Sequence, residues 1–379
     1  MRFLFLVGRD SRHPSAGGGD IQAWEWARYV AGHGHEATYI CCGHPTLPTA
    51  ELISGVMVLR MGPGFLLPFK AYRFYKHHQL DIDLVYEDVI GGGRLPYLSP
   101  LYVRKPIVAA WHQPTSDLLI DSHGRLAAIL LSFVERLVAK FYRSTWLRAP
   151  SEEIRSQLIC ELGLPIARIR VIPASIPEEW FTSKRVAHPD GQLILCVSNF
   201  RRYKGIHTLI KALPLVRKQC EDVQLVIVGR RIDLAYERTL HLLVDELGLD
   251  QCTRFLTNIN EEEKRSLLCK SRLLVLPSRR EGFGVVVLEA NACGVPVIAS
   301  SGVPESVVKD GWNGLRYVFG DVDGLATSIV RLLRSDELHH ELSDNGLVFA
   351  KRFGWAEVGR QFENLAKLAN PLGEVGKRS

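Results

Sequence analysis

The chain has 379 residues, of which 46% are hydrophobic and 23% are charged. This length and composition predict two globular domains, each with its own core, and exclude an intrinsically disordered protein. The net charge of +6 permits anionic ligands or an anionic membrane surface but does not indicate nucleic-acid binding.

The first half of the chain alternates predicted strands with predicted helices. Apolar strands are expected at 2–8, 36–42, 56–61, 83–89, 106–112, 145–150 and 169–172, and helices at 20–31, 125–143 and 151–162. Nearly continuous apolar strands joined by helices are typical of a parallel sheet that is covered on both faces.

A segment with two prolines and a glycine, residues 177–191, is the predicted linker between the two domains. It separates an amino-terminal domain, 1–176, from a second alternating series at 192–352. The last helix and tail, 353–379, belong to the second domain or pack back on the first. The expected fold is therefore α/β, with two doubly wound Rossmann-like domains facing a central cleft. Open α/β sheets bind ligands at the carboxyl ends of their strands, which such a cleft would contain.

The stretch 274–293, LVLPSRREGFGVVVLEANAC, concentrates features of a ligand site. An apolar strand ends at Pro277, and Gly282, Phe283 and Gly284 lead into a helix that begins at Val285. A helix start preceded by glycines offers free backbone N–H groups and a positive dipole end, which suit a phosphate. Glu281 and Glu289, with seven residues between them, place one carboxylate on the loop and one on the helix. Both can accept hydrogen bonds from sugar hydroxyls.

Two further loops follow predicted strands. Residues 198–205, SNFRRYKG, include Asn199, Arg201, Arg202 and Lys204, three of them cations suited to a diphosphate. Gly17, Gly18 and Gly19 precede the first helix, where glycine permits close approach of backbone to a phosphate. Their order does not match the G-x-G-x-x-G fingerprint, so a Rossmann dehydrogenase is disfavoured.

These elements together resemble the retaining glycosyltransferases of the GT-B fold, family 4 (group 1 type). Glu281 and Glu289 resemble the E-x7-E element of that family, and Lys204 with Gly205 resembles the end of its G-R-L-x-x-x-K-G element. Ser198 and Asn199 stand where glycine and arginine are usual, so Arg201 or Arg202 is expected to supply the guanidinium. His112, at a predicted strand end, resembles the histidine that lines the donor sugar. Residues 310–314, DGWNG, resemble the D-G-x-N-G turn.

The resemblance implies retaining, metal-independent transfer of a sugar from a UDP- or GDP-linked donor to an acceptor hydroxyl. Lys204, one of the two arginines and backbone N–H groups near Gly18 and Gly284 would stabilise the leaving diphosphate. Glu281 would hold sugar hydroxyls and Glu289 the nucleotide ribose. Two alternatives stay open: a nucleotide-sugar 2-epimerase on the same fold, and a non-catalytic sugar-nucleotide binding protein.

Two charged segments are interpreted as structural. Asp81 and Asp83 have the D-x-D form of metal-dependent glycosyltransferases, but they precede a strand and are interpreted as a turn and strand start. The run 261–265, EEEKR, is interpreted as the solvated beginning of a helix. No metal and no other cofactor is therefore expected.

The acceptor is indicated only by charge. No acidic residue occurs between Glu51 and Asp81, whereas a predicted helix near Lys70–His77 carries Lys70, Arg73 and Lys76 on one face. This face suits an anionic or lipid-linked acceptor, or peripheral contact with an anionic membrane. No apolar run is long enough to span a bilayer, and the eight scattered cysteines are expected to be free thiols. We therefore expect a cytoplasmic protein, and we expect any peripheral contact with lipid to be at the inner face of the membrane.

Overall fold

The computed structural model describes residues 1–89, 95–114, 120–181 and 192–371, and all elements given below lie in those ranges. Contacts divide the chain into two compact units. The second consists mainly of Ser175–Gly354 and also includes residues 120–124, and the chain rejoins the first unit at Trp355. Each unit is built on a mostly parallel sheet, which confirms the predicted two-domain α/β fold.

The sheet of the first unit has eight strands. They are β1 (Arg2–Leu6), β2 (Glu36–Cys41), β3 (Ala50–Ile53), β4 (Val56–Arg60), β5 (Leu84–Asp88), β6 (Ile107–Ala110), β7 (Trp146–Ala149) and β8 (Ile169–Val171). Their order is β3-β4-β2-β1-β5-β6-β7-β8, and β3 alone pairs antiparallel, with β4. The sequence pattern missed β3 because this short edge strand contains no fully buried residue and so forms no apolar run.

The sheet of the second unit has six strands, all of them parallel. They are β9 (Gln192–Val197), β10 (Val223–Val228), β11 (Thr253–Leu256), β12 (Leu273–Leu276), β13 (Val297–Ser300) and β14 (Gly314–Tyr317). Their order is β11-β10-β9-β12-β13-β14. The sequence pattern missed β14, which starts at the last residue of the DGWNG turn and is only four residues long.

Helices connect the strands and cover the sheets. They are α1 (Gly18–Gly32), α2 (Leu67–His78), α3 (Ile120–Phe141), α4 (Glu152–Leu162), α5 (Ile206–Arg217), α6 (Leu234–Glu246), α7 (Glu261–Lys270), α8 (Val285–Ala292), α9 (Val322–Arg334), α10 (Asp336–Ala350) and α11 (Trp355–Ala369). No described helix combines the length and the apolar character that a membrane span needs.

The first sheet has one core on each face. One core contains buried residues of α2, α3 and α4, among them Tyr75, Val138 and Leu158. The other contains residues of α1 and α11, and the rings of Trp26 and Phe362 lie there with centroids 4.5 Å apart. The helix of the predicted tail, 353–379, thus packs on the first unit.

The predicted linker, 177–191, is only partly within the described residues, because 182–191 lie outside them. Glu178–Trp180 forms one turn of 3-10 helix, and the Trp180 side chain is buried in the second unit. Asp81 and Asp83 both pair with Arg2, at 3.2 and 3.1 Å. This pairing confirms their interpretation as a turn and strand start.

In each sheet the direction of strand addition reverses at one pair of strands. The reversal lies between β1 and β5 in the first unit and between β9 and β12 in the second. Loops diverge at such a point and leave a crevice outside the carboxyl ends of the strands, where open α/β sheets bind ligands. A ligand site is therefore expected at the loops that follow these four strands.

Candidate active site

In the second unit, a glycine brings together the loops that follow β9 and β12. Gly205 has a φ of 67°, and a Cβ atom there would lie 2.0 Å from the Pro277 carbonyl oxygen. Only glycine allows this backbone conformation together with this close approach. The two loops are also joined by a hydrogen bond of 2.7 Å from the Arg279 N–H to the Tyr203 carbonyl.

This approach places two predicted site residues in direct contact. Lys204 Nζ lies 2.5 Å from Glu281 Oε1, and the Ser278 hydroxyl donates to the same oxygen at 2.6 Å. The lysine and glutamate side chains are 14% and 13% exposed, so the pair is largely shielded from water. Burial lowers the pKa of Lys204, but the attraction of Glu281 outweighs it and the pKa lies above its usual value. The ammonium is therefore charged and held at this position.

The remaining predicted cations differ in their surroundings. The Arg202 guanidinium lies over the Tyr236 ring, 5.8 Å from its centroid. Arg201 is exposed, and its carbonyl accepts a hydrogen bond of 2.9 Å from the Lys204 N–H. Its positive charge acts to lower the pKa of Lys204. Asn199 Oδ1 accepts a hydrogen bond of 3.2 Å from Arg230 Nε. Sequence reasoning missed Arg230, although it lies only two residues after the end of the apolar strand β10.

The helix predicted after the glycines is α8, and it begins at Val285 as expected. Gly284 precedes it with a φ of 91°, a left-handed conformation that glycine adopts without strain. The Phe283 ring is buried and lies 5.7 Å from the Phe353 ring, so this residue can offer a ligand only its backbone. The Glu281 N–H donates to the Gly302 carbonyl at 2.9 Å and fixes the loop on which the carboxylate lies. The first-turn amides of α8 thus start beside a fixed loop that contains Gly282.

Glu289 lies within α8 and is held by a residue of α7. Lys264 Nζ is 2.9 Å from Glu289 Oε1 and 2.8 Å from Glu261 Oε2. The same ammonium lies 5.3 Å from the centroid of the buried Trp180 ring. Lys264 is only 16% exposed, so the interpretation of 261–265 as a solvated helix start is wrong for this residue. Burial raises the pKa of Glu289, and Lys264 partly reverses the increase.

In the first unit, the glycine loop and the predicted histidine are neighbours. The helix α1 begins at Gly18, two residues earlier than predicted, because Asp20 accepts a hydrogen bond of 2.8 Å from the Gly17 N–H at its start. A Cβ atom on Gly19 would lie 3.0 Å from His112 Nε2. Glycine at position 19 therefore allows the imidazole to lie against the loop.

His112 has two partners that sequence reasoning missed. Its Nε2 lies 3.1 Å from Asp88 Oδ1, and its Nδ1 lies 3.5 Å from an Arg148 nitrogen. Burial lowers the pKa of Arg148 to about 10, and the guanidinium packs on Trp26 at 4.9 Å. The signal in the sequence was a charged residue in each of two apolar strands: Asp88 ends β5, and Arg148 lies within β7. Together the three side chains form a polar group beside the glycine loop.

Metal ligands do not cluster in the described part of the chain. No group of three or more histidine, cysteine, aspartate or glutamate side chains within it is arranged to hold a metal ion. All eight cysteines are free thiols, six of them buried.

Family comparisons cover most of the chain in two parts. Residues 16–180 match the model described as Glycosyltransferase Family 4, and residues 178–348 match the model described as Glycosyl transferases group 1. The second match includes every predicted site residue of the second unit, and the first includes the glycine loop and His112.

Two relatives illustrate the similarity in sequence. The chain is 32% identical over 354 residues to N-acetyl-alpha-D-glucosaminyl L-malate synthase of Bacillus anthracis, and the match covers 88% of each chain. It is 32% identical over 207 residues to GDP-mannose-dependent monoacylated alpha-(1-6)-phosphatidylinositol monomannoside mannosyltransferase of Corynebacterium glutamicum, where the match covers 52% of each chain. The second match therefore spans about half of that relative.

Solved structures share the fold over nearly the full chain. Sucrose-phosphate synthase from Thermosynechococcus elongatus has a TM-score of 0.80 at 22% identity, covering 97% of this chain and 99% of that one. Anabaena HepE, in complex with UDP-glucose, has a TM-score of 0.79 at 19% identity, covering 98% of this chain and 100% of that one. These likenesses identify the fold as the predicted GT-B type. The chain belongs to the group 1 glycosyl transferases, glycosyltransferase family 4, and is a glycosyltransferase.

Proposed function

We propose that this glycosyltransferase moves a sugar from a UDP- or GDP-linked donor to an acceptor hydroxyl, with retention of anomeric configuration and without a metal ion. The observation that carries the proposal is the contact of Lys204 with Glu281 at the strand reversal of the second sheet. A buried ammonium with an adjacent carboxylate meets both needs of a sugar nucleotide, a cation for phosphate and an acceptor for hydroxyls.

The diphosphate is assigned to Lys204, Arg201 and the first-turn amides of α8. Arg201 is preferred to Arg202 because the Arg202 guanidinium lies over Tyr236, whereas the charge of Arg201 acts on the Lys204 ammonium. Negative charge develops on the leaving diphosphate as the glycosidic bond breaks. Fixed cations and amides stabilise that charge without reorganising, which is electrostatic catalysis.

The carboxylates are assigned to the two sugars of the donor. A phosphate that takes the Lys204 ammonium leaves Glu281 free to accept hydrogen bonds from hydroxyls of the transferred sugar. Glu289, kept largely shielded beside Lys264, is assigned to the ribose. In the first unit, His112 with Asp88 is assigned to the transferred sugar, and the backbone of Gly17, Gly18 and Gly19 to the phosphate.

The donor classes follow from chemistry and from named relatives. The C. glutamicum relative is named as GDP-mannose-dependent, and the Anabaena structure contains UDP-glucose. Neither base is distinguished by the contacts described above, so both donor classes belong to the test.

The acceptor is proposed to be anionic or lipid-linked. A depression of about 490 Å³ beside α2 has apolar walls with basic side chains and is lined by Met61, Leu66, Phe69, Lys70, Arg73, Phe74, His77 and His78. Such a surface fits an apolar group that bears a negative charge. The C. glutamicum relative is named for a phosphatidylinositol mannoside acceptor, which is of this class.

The test first identifies the donor and then determines the anomeric configuration of the product. A panel of UDP- and GDP-sugars is screened by thermal shift, because a ligand that binds the folded state raises its melting temperature. The stabilising donor is then incubated with sugar phosphates, inositol phosphates and lipid-linked acceptors, and the anomeric configuration of the product is read by NMR. We expect one donor class to stabilise the protein and the product to keep the donor configuration. An inverted product, or stabilisation by no sugar nucleotide, contradicts the proposal.

A further inference from the structure

From residue 125 onward the helix α3 belongs to the first unit, and most of its large apolar side chains there are exposed. Its buried positions hold small or polar residues, namely Ala128, Glu135, Val138 and Ala139. Eight large apolar side chains of α3 are exposed in the described residues, and six of them share one side of the helix, from 39% exposed at Leu137 to 85% at Leu126: Leu126, Ile129, Leu130, Phe133, Leu137 and Phe141. We name these six residues the outer stripe.

The outer stripe is continuous along the helix. Its members recur at spacings of three and four residues, and at about 100° per residue such positions fall on one side of an α-helix. Single exposed apolar residues are common on protein surfaces, but a contiguous patch of this kind marks an interaction site. The outer stripe is therefore a candidate interaction surface.

Charge identifies the kind of partner. Arg136 and Lys140 are exposed at one edge of the outer stripe. Glu135 is the sole acidic residue between Leu126 and Phe141, and it is buried, accepting a hydrogen bond of 3.2 Å from Trp111 Nε1. The stripe is thus bordered by exposed cations and by no exposed acidic side chain of α3 within that range.

Another helix on the same face of the sheet has the same character. Residues of α2 and α3 enter one core, where Tyr75 and Val138 are both buried. Phe69 of α2 is 60% exposed, and Lys70 and Arg73 are exposed beside it. The exposed surfaces of both helices thus combine large apolar side chains with cations and contain few carboxylates. This combination is typical of a surface that lies in the head-group region of a bilayer.

We propose that α3 lies in the plane of an anionic membrane, with the outer stripe inserted below the head groups and Arg136 and Lys140 against the lipid phosphates. A second copy of the chain is the alternative occupant, but two such faces brought together would set like charges against each other. The proposal does not depend on the proposed transfer reaction, since it concerns binding of lipid without donor or acceptor.

The experiment uses the full chain with sedimented vesicles, either pure phosphatidylcholine or about three parts phosphatidylcholine to one part phosphatidylglycerol. We expect binding to the anionic vesicles, weakened by about 0.5 M salt because exposed charges are screened. Ile129→Ser/Phe133→Ser should reduce the partition coefficient about tenfold or more, since two inserted side chains are lost. Arg136→Gln/Lys140→Gln should reduce it by about fivefold or more.

Matched control variants distinguish a specific effect of the outer stripe and its cations from a general effect of removing apolar or charged side chains. Leu242→Ser/Val348→Ser removes two apolar side chains of similar exposure from the second unit, at 60% and 59%. Lys211→Gln/Lys218→Gln removes two exposed cations there. Neither should change vesicle binding. Because all these side chains are exposed, the variants should keep the wild-type melting temperature.

Three results would overturn the proposal. One is failure of the wild type to bind anionic vesicles. The second is equal loss of binding in the stripe and control variants. The third is a concentration-dependent dimer, measured by light scattering, that the Ile129→Ser/Phe133→Ser change dissociates while vesicle binding is absent, which would assign the stripe to a second copy.

Discussion

Lys204 Nζ and Glu281 Oε1 lie 2.5 Å apart, although 77 residues separate them in the chain. Each belongs to a loop at the strand reversal of the second sheet, and Gly205 allows the two loops to touch. Within this pair the positive charge of the ammonium is balanced by the negative charge of the carboxylate. Binding of a diphosphate then exchanges one anionic partner of the ammonium for another.

Replacing Lys204 by alanine should lower kcat by about two to three decades. The loss of one charge-assisted contact to the leaving diphosphate costs about 2–4 kcal/mol in the transition state. Steady-state kinetics with the donor identified by thermal shift measures the effect. Lys211→Ala, an exposed lysine of the same unit, is the control and should leave kcat unchanged. Unchanged kcat in Lys204→Ala would show that the phosphates bind elsewhere.

Substitution of Glu281 and of Glu289 should change different kinetic constants. Glu281→Gln should mainly lower kcat, because contacts to the transferred sugar tighten as its ring gains positive charge. Glu289→Gln should mainly raise the donor KM, because ribose hydroxyls do not change during the reaction. A donor with deoxyribose should lose affinity for the wild type and much less for Glu289→Gln. Exchanged kinetic phenotypes would refute this assignment of the carboxylates.

Replacing Lys264 by methionine should destabilise the protein more at pH 8 than at pH 5. Burial raises the pKa of Glu289, so its contribution to stability is present at low pH and is lost as pH rises through its folded pKa. Without Lys264 that pKa rises further, and at pH 8 the buried carboxylate is charged without its partner, at a cost of about 1–3 kcal/mol. Thermal unfolding at the two pH values measures the difference. Lys264→Arg keeps the cation and should behave like the wild type, whereas an equal loss at both pH values would disprove the coupling.

Gly19→Ala should lower kcat about tenfold or more. Its Cβ would lie 3.0 Å from His112 Nε2, so the imidazole must shift, and small displacements of a positioned group reduce rates strongly. Gly18→Ala is the matched control, because its Cβ meets no atom within 4 Å. Both changes add the same methyl group to the start of α1. Equal losses in the two variants would place the effect on ligand approach to the glycine loop instead of on His112.

Transfer should persist in excess EDTA. In the proposed mechanism, Lys204 and Arg201 supply the positive charge that a divalent ion provides on a diphosphate in other enzymes. The assay compares initial rates before and after exhaustive chelation. Complete loss of activity that Mn²⁺ or Mg²⁺ restores would exclude the metal-independent mechanism.

Local patterns in the sequence were sufficient for most elements of the fold. The apolar run before Pro277 is β12, and the helix expected from Val285 is α8, because burial on both sides of a parallel sheet produces an unambiguous apolar strand. An edge strand is not buried on both sides and forms no such apolar run, so β3 was not predicted. The Asp20 carboxylate accepts a hydrogen bond from the Gly17 N–H, so α1 begins two residues before its predicted start. The glycines at 17–19 gave no sign of this, because they were interpreted as a loop.

Contacts between distant residues could not be predicted in the same way. Lys264 looked like part of a solvated charge run, and only the packing of α7 on α8 brings it to Glu289. The periodicity of α3 predicted two faces but not which of them is buried. Here the face with Glu135 and small residues packs inward, because Trp111 offers that carboxylate a hydrogen-bond donor.

The path of the chain through the first unit affects the order in which the protein is completed during synthesis. The core on one face of the first sheet includes Phe3 and Trp26 from the beginning of the chain and Phe362 and Leu365 from α11. Residues 175–354, which form nearly all of the second unit, are translated between them. On the ribosome, the second unit can therefore close its core before the first. Until α11 emerges, Trp26 and its neighbours lack a covering helix, which makes the nascent first unit the part of the protein with the greatest need for chaperones.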